Sequence, residues 1–67
     1  MDISEIGVAA GKIWTYLNQK QSLVDVLEIK FHYNFSNTIL FLAIGWLARE
    51  DKIFMVKENN RLKIKLK

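Results

Sequence analysis

Four cations, Lys57, Arg61, Lys63 and Lys65, stand near the end of this 67-residue chain, flanked by Lys52 and Lys67. Cations spaced along an extended segment can meet successive phosphate oxygens, so the chemistry open to them is binding of a polyanion. Residues 52–67 carry a net charge of +5 and residues 1–51 a net charge of −2, so the total of +3 hides a division. An anionic partner should meet the basic end first.

Catalytic chemistry finds little support. His32 is the single histidine and there is no cysteine, which leaves no donor set for zinc and no disulfide. Glu50 and Asp51 are adjacent, and neighbours on a helix do not face each other, so they make a poor acid–base dyad. No glycine-rich phosphate loop and no nucleophile–base pair is present. The reading is of a non-enzyme without metal, cofactor or evident small-molecule ligand. The acidic start, Met1-Asp2-Ile3-Ser4-Glu5, is unlike a secretory signal. The lack of cysteine suits a reducing cytoplasm.

The basic segment must be held by something. After Asp51 the hydrophobic period changes to 2, which predicts two strands at about residues 53–58 and 61–66 around an Asn59-Asn60 turn. That turn pairs Glu58 with Arg61, Met55 with Ile64 and Ile53 with Leu66. One face then carries Ile53, Met55, Leu62, Ile64 and Leu66 and should pack on helices. The other carries Phe54, Val56, Glu58, Arg61, Lys63 and Lys65.

Upstream, Ile3, Ile6, Ala10, Ile13, Trp14 and Leu17 recur at helical spacing and predict a helix over about residues 3–20, opened by an Asp2/Glu5 capping box. Gly7 and Gly11 weaken it by roughly 1 kcal/mol each, and the expected reason is close approach by a neighbouring helix. Gln21-Ser22-Leu23 reads as a short extended piece. A second helix over about residues 24–33 should make its apolar contacts through Val26, Leu27 and Phe31, with Ile29 a further candidate, and stop at Asn34. Ser36 should cap a third helix over about residues 36–50. Helix, short strand, two helices joined by a tight turn, and a hairpin make an α+β fold, the winged helix-turn-helix arrangement, in a single domain spanning residues 1–67.

In that arrangement the third helix is the one that enters a DNA groove. Here its central run, Ile39 to Ala48, has no charge at all. Successive 100° steps place Ile39, Leu40, Ala43, Trp46 and Leu47 inward. Asn37, Thr38, Phe41, Gly45, Ala48 and Arg49 fall outward, with Leu42 and Ile44 at the flanks. Asn37, Thr38 and Arg49 are the only outward groups able to reach bases, and Arg49 lies far from the usual reading positions. Phe41 fits either a covered rim position or an interface.

The run Ala43-Ile44-Gly45-Trp46-Leu47-Ala48-Arg49-Glu50-Asp51-Lys52-Ile53, with Gly11-Lys12-Ile13-Trp14 and Leu17-Asn18, resembles a family of small bacterial and archaeal winged helix-turn-helix proteins of uncharacterised function. The resemblance implies the winged helix fold and, by analogy of fold, DNA binding and transcription regulation. Two functions compete. In the first, Lys57, Arg61, Lys63 and Lys65 hold the phosphates of double-stranded DNA while Asn37, Thr38 and Arg49 approach the groove. In the second, the domain binds protein, most simply as a homodimer, through Phe41, Leu42, Ile44 and Ala48 or through Phe54 and Val56. A membrane contact by Phe54 and Val56 is discounted, because two apolar residues on a strand anchor poorly.

Overall fold

The computed structural model describes all residues, 1–67. The elements run α1 (Ile3–Lys20), β1 (Val24–Asp25), α2 (Val26–Tyr33), α3 (Asn37–Arg49), β2 (Ile53–Glu58) and β3 (Arg61–Leu66). The expected α+β architecture of three helices and a C-terminal hairpin is the one observed.

Local chemistry sets most of the boundaries. The Asp2 carboxylate accepts from Ser4 N at 3.3 Å, and the Glu5 carboxylate accepts from Asp2 N at 3.3 Å, closing the capping box. Ser36 Oγ accepts from Ile39 N at 3.2 Å and opens α3. Asn34 ends α2 in the left-handed conformation, with φ of 56°. Asp51, φ 59°, ends α3 in the same way. Beyond it Lys52 N donates to Leu47 O at 3.0 Å, which turns the chain into β2. Asn59 and Asn60 both have positive φ, as a type I′ turn requires. The hairpin register pairs Ile53 with Leu66, Met55 with Ile64 and Glu58 with Arg61, as the turn dictates.

The sheet has three strands, not two. The short strand lies at Val24–Asp25 rather than at residues 21–23, and α2 accordingly starts at Val26 rather than Val24. β1 pairs antiparallel with β3 (Val24 with Ile64, Asp25 with Lys63), so β3 is central and the order is β1-β3-β2. That order explains Met55. It was expected to pack on the helices but is exposed, because β2 is an edge strand and only Ile53 of it reaches the core.

The core consists of Ala9, Ala10, Ile13, Tyr16 and Leu17 of α1, Val24 of β1, Val26 and Ile29 of α2, Leu40, Ala43, Ile44 and Leu47 of α3, and Ile53 and Ile64 of the hairpin. Three expectations fail here. On α3 the buried side is rotated by roughly 50° from the one the spacing suggested. Ile44 is therefore buried and Trp46 is exposed. With apolar groups on nearly every side, the helix carries no internal signal for which side faces inward. Packing on α1, α2 and β2 decides it. On α2, Leu27 and Phe31 are exposed while Ile29 is buried, and on α1 Ile3 and Trp14 are exposed. Lastly, a Cβ built on Gly7 or Gly11 would meet nothing within 4 Å, so no neighbouring helix of this chain approaches them.

Candidate nucleic-acid and protein interfaces

The groups expected to hold DNA divide once placed. Asn37 and Thr38 stand exposed at the start of α3 and line a shallow depression with Phe41 and Leu42. Arg49 is at the opposite end of the helix, about 18 Å away along its axis. It is exposed and makes no ion pair.

The wing is more neutral than its composition. Arg61 Nη2 lies 2.6 Å from Asp25 Oδ2, and its Nε donates to the same oxygen at 2.6 Å. Lys63 pairs with Glu58 at 3.2 Å, Lys67 with Asp51, and Lys52 loosely with Glu50 at 3.9 Å. Four of the six cations in residues 52–67 therefore face carboxylates of the same molecule, leaving Lys57 and Lys65 without partners. Those two project to opposite faces of the hairpin, since strand side chains alternate and Lys57 pairs with Leu62 while Lys65 pairs with Phe54. Exposed ion pairs are weak and can exchange for phosphates. The hairpin nevertheless offers no continuous track of free cations.

Asp25 is central to this balance. It caps α2, accepting from Leu27 N at 2.9 Å, while holding Arg61 across the sheet. The Leu27 N–H, followed by Arg61, lowers its carboxyl pKa against the opposing effect of desolvation. Because the folded pKa is depressed, the stability Asp25 contributes is complete above the ordinary aspartate value of about 3.9. It is lost as pH falls through the lower folded value. Asp25→Ala is expected to destabilise the fold by about 1 kcal/mol through loss of the cap and to steepen the salt dependence of any polyanion binding by freeing Arg61. Thermal melts at neutral pH and at pH 3 check the first part, and the variant should differ less from the wild type in acid.

A second polar cluster fastens α1 to α2. The Tyr16 hydroxyl donates to Glu28, which also meets Lys20 at 3.4 Å. The Tyr16 hydrogen bond leads the causes that hold the Glu28 carboxyl below its usual value, and its bond to Glu28 leads those that raise the Tyr16 pKa. The His32 ring packs on Tyr16 and Tyr33 at centroid distances of 4.8 and 4.6 Å. These groups make a packing cluster, and no three His, Asp or Glu side chains are arranged to hold a metal.

The apolar surface is extensive. Phe41 is 49% exposed, Leu42 43% and Trp46 39% on α3, and Trp14 is 40% exposed on α1. Of the groups expected at a protein interface, Phe41 and Leu42 share one surface, and Phe54 and Val56 lie exposed on the outer face of the wing. Ala48 is half-buried against the core and Ile44 fully inside it, so Ile44 is withdrawn from the interface. The two tryptophans were missed. Helical spacing had placed both inward, and no local pattern marks them as exposed.

A helix-turn-helix backed by a three-stranded sheet with a C-terminal hairpin defines the winged helix class, which serves DNA binding or protein interaction and is typically non-enzymatic. Residues 1–66 match the winged helix-turn-helix domain family DUF2582, and the chain belongs to that family. It is 44% identical over 64 residues to the uncharacterized protein MJ1608 of Methanocaldococcus jannaschii, covering 94% of this chain and 91% of that protein. The solution NMR structure of BT2368 from Bacteroides thetaiotaomicron superposes with a TM-score of 0.81 at 35% identity, over 98% of this chain and 79% of that one. No helix is long and apolar enough to cross a membrane.

Proposed function

We propose that this protein is a protein-interaction winged helix whose contact surface is the outward side of α3, and that it does not read DNA sequence. The observation that carries the reading is the exposure of Phe41, Leu42 and Trp46 on the helix that would have to enter the groove. Reading bases takes donors and acceptors at such positions. A large exposed apolar surface is instead characteristic of a site that meets another protein. The neutralised wing supports the same reading, because the positive field that draws DNA is largely met from within. Any transcription-regulatory role would then run through a protein contact.

Nonspecific contact with the DNA backbone is a second reading, favoured by the unpaired Lys57 and Lys65. The two readings separate in a titration of duplex DNA against salt. With two phosphate contacts, the slope of log K against log salt should be about −2, and with all six wing cations engaged it should be about −5. The proposed function expects the shallow slope, affinity no tighter than about 10 µM at physiological salt and no preference among sequences. A steep slope with sequence preference would overturn it.

A further inference from the structure

We propose that the open cavity between α1 and the base of the hairpin binds a nucleotide, an aromatic base that carries a phosphate. The cavity holds about 780 Å³, within the roughly 300–1,000 Å³ usual for small-molecule sites. The second half of α1 forms one wall, and the start of β2 with the end of β3 forms the other. It shares no residue with the α3 surface of Phe41, Leu42 and Trp46, so it stands apart from the protein contact.

Two rings border the cavity. Trp14 projects from α1 and Phe54 from β2, 40% and 53% exposed. The ring–ring contacts of the molecule are made among Tyr16, His32, Tyr33 and Phe35. Trp14 and Phe54 take no part in them and keep open ring surface. Bases stack on such surface whatever their identity.

The sheet register places a cation beside one ring. Lys65 is the cross-strand partner of Phe54, so the two share a face of the hairpin. Lys65 has no carboxylate partner, unlike Lys67, which pairs with Asp51 and lies over the Phe54 ring, 5.3 Å from its centroid. Lys52 also lines the cavity and is drawn only loosely to Glu50, at 3.9 Å. The lining thus sets three lysines against one carboxylate, a surplus that favours an anion.

Two amides distinguish a nucleotide from a simple aromatic acid. Gln21 Nε2 donates to Asn18 O at 2.7 Å, which holds the two residues together at the end of α1. The Asn18 amide NH2 and the Gln21 carbonyl oxygen make no hydrogen bond within the chain. They offer a donor and an acceptor together, the pattern that meets the edge of a base. An aromatic acid would engage the ring and the cation and leave both amides idle.

The test follows backbone amides by NMR while the protein is titrated with adenosine monophosphate, adenosine, benzoate, inorganic phosphate and a short single strand of deoxyadenosine. The monophosphate should bind with a dissociation constant below about 1 mM, with shifts at residues 14–21, 51–54 and 65–67. Adenosine, benzoate and phosphate each lack one recognised element and should bind at least about fivefold more weakly. Lys65→Ala should weaken the monophosphate about fivefold and leave adenosine unchanged. Phe54→Ala should weaken both by about fivefold or more. Lys65 is exposed, so its variant stays informative even if Phe54→Ala loosens the hairpin. A strand that binds more than about tenfold tighter than the monophosphate identifies the end of a single-stranded nucleic acid as the source, and binding within that factor identifies a free nucleotide. A dissociation constant above about 1 mM, shifts elsewhere, or equal losses of monophosphate and adenosine in Lys65→Ala would overturn the site. Benzoate binding as tightly as the monophosphate would overturn the nucleotide as its ligand.

Discussion

Leu40→Ala should bring the protein close to its unfolding threshold at ordinary temperature. Leu40 is fully buried on α3, the helix that packs on α1, α2 and β2. Truncating such a leucine removes roughly 2–5 kcal/mol. A core this small rarely supplies more than about 3–5 kcal/mol in total, and neither disulfide nor metal reinforces it here. At roughly 4–8 °C per kcal/mol for a domain of this length, the melting midpoint should fall by at least about 10 °C. The informative control is Trp46→Ala on the same helix. Trp46 is 39% exposed and its indole donates to Glu50, so its truncation should cost about 1 kcal/mol, well below the loss at Leu40. Circular dichroism melts in dilute solution compare the two. If Trp46→Ala proves as damaging as Leu40→Ala, α3 is turned the way its hydrophobic spacing suggested, and the exposed face described above is not exposed.

How much could be read in advance depends on the range over which each feature is determined. Caps and turns are local. Asp2 with Glu5, Asn34, Ser36 and Asn59-Asn60 each fix the backbone within a few residues, so the starts of α1 and α3, the end of α2 and the whole hairpin register were legible, while the start of α2 was not. The strand β1 was not, because two residues carry no period and exist as a strand only through pairing with β3, some forty positions away. Orientation of α3 failed for a related reason. A periodic argument needs a polar side to contrast with the apolar one, and the run from Ile39 to Ala48 supplies none. On α2 the cause differs: apolar and polar residues alternate from Leu27 to His32, which spreads the apolar groups round a helix and leaves Leu27 and Phe31 outside. The candidate site suffered most. Charge counting saw the basic wing, but Asp25 meets Arg61 across 36 positions, and no local pattern announces that pair. What the chain did announce, two glycines inside a helix, was assigned to contact within the molecule when the space around them is open.

Leu42→Glu should abolish the protein contact proposed for the outward side of α3 while leaving the fold intact. Leu42 is exposed on α3 one turn before Trp46, and glutamate is nearly as good a helix former as leucine. The monomer therefore has little to lose. At an apolar contact the new carboxylate would lose water without gaining a partner. Even a penalty of about 3 kcal/mol raises the dissociation constant roughly a hundredfold. Leu42→Arg should disrupt association similarly, but its effect on DNA should be opposite. It adds a cation to the helix nearest the groove in a winged helix complex, whereas glutamate adds repulsion. Measured together, the two variants separate the functions. If association falls in both, while the weak DNA affinity falls with glutamate and rises with arginine, the outward side of α3 is a protein contact, and any DNA binding is a nonspecific response to charge. If Leu42→Arg leaves association unchanged, the contact lies elsewhere. If both variants lose DNA affinity by a similar factor, Leu42 itself is fitted against the duplex, and α3 must be a groove helix that works through shape and apolar contact.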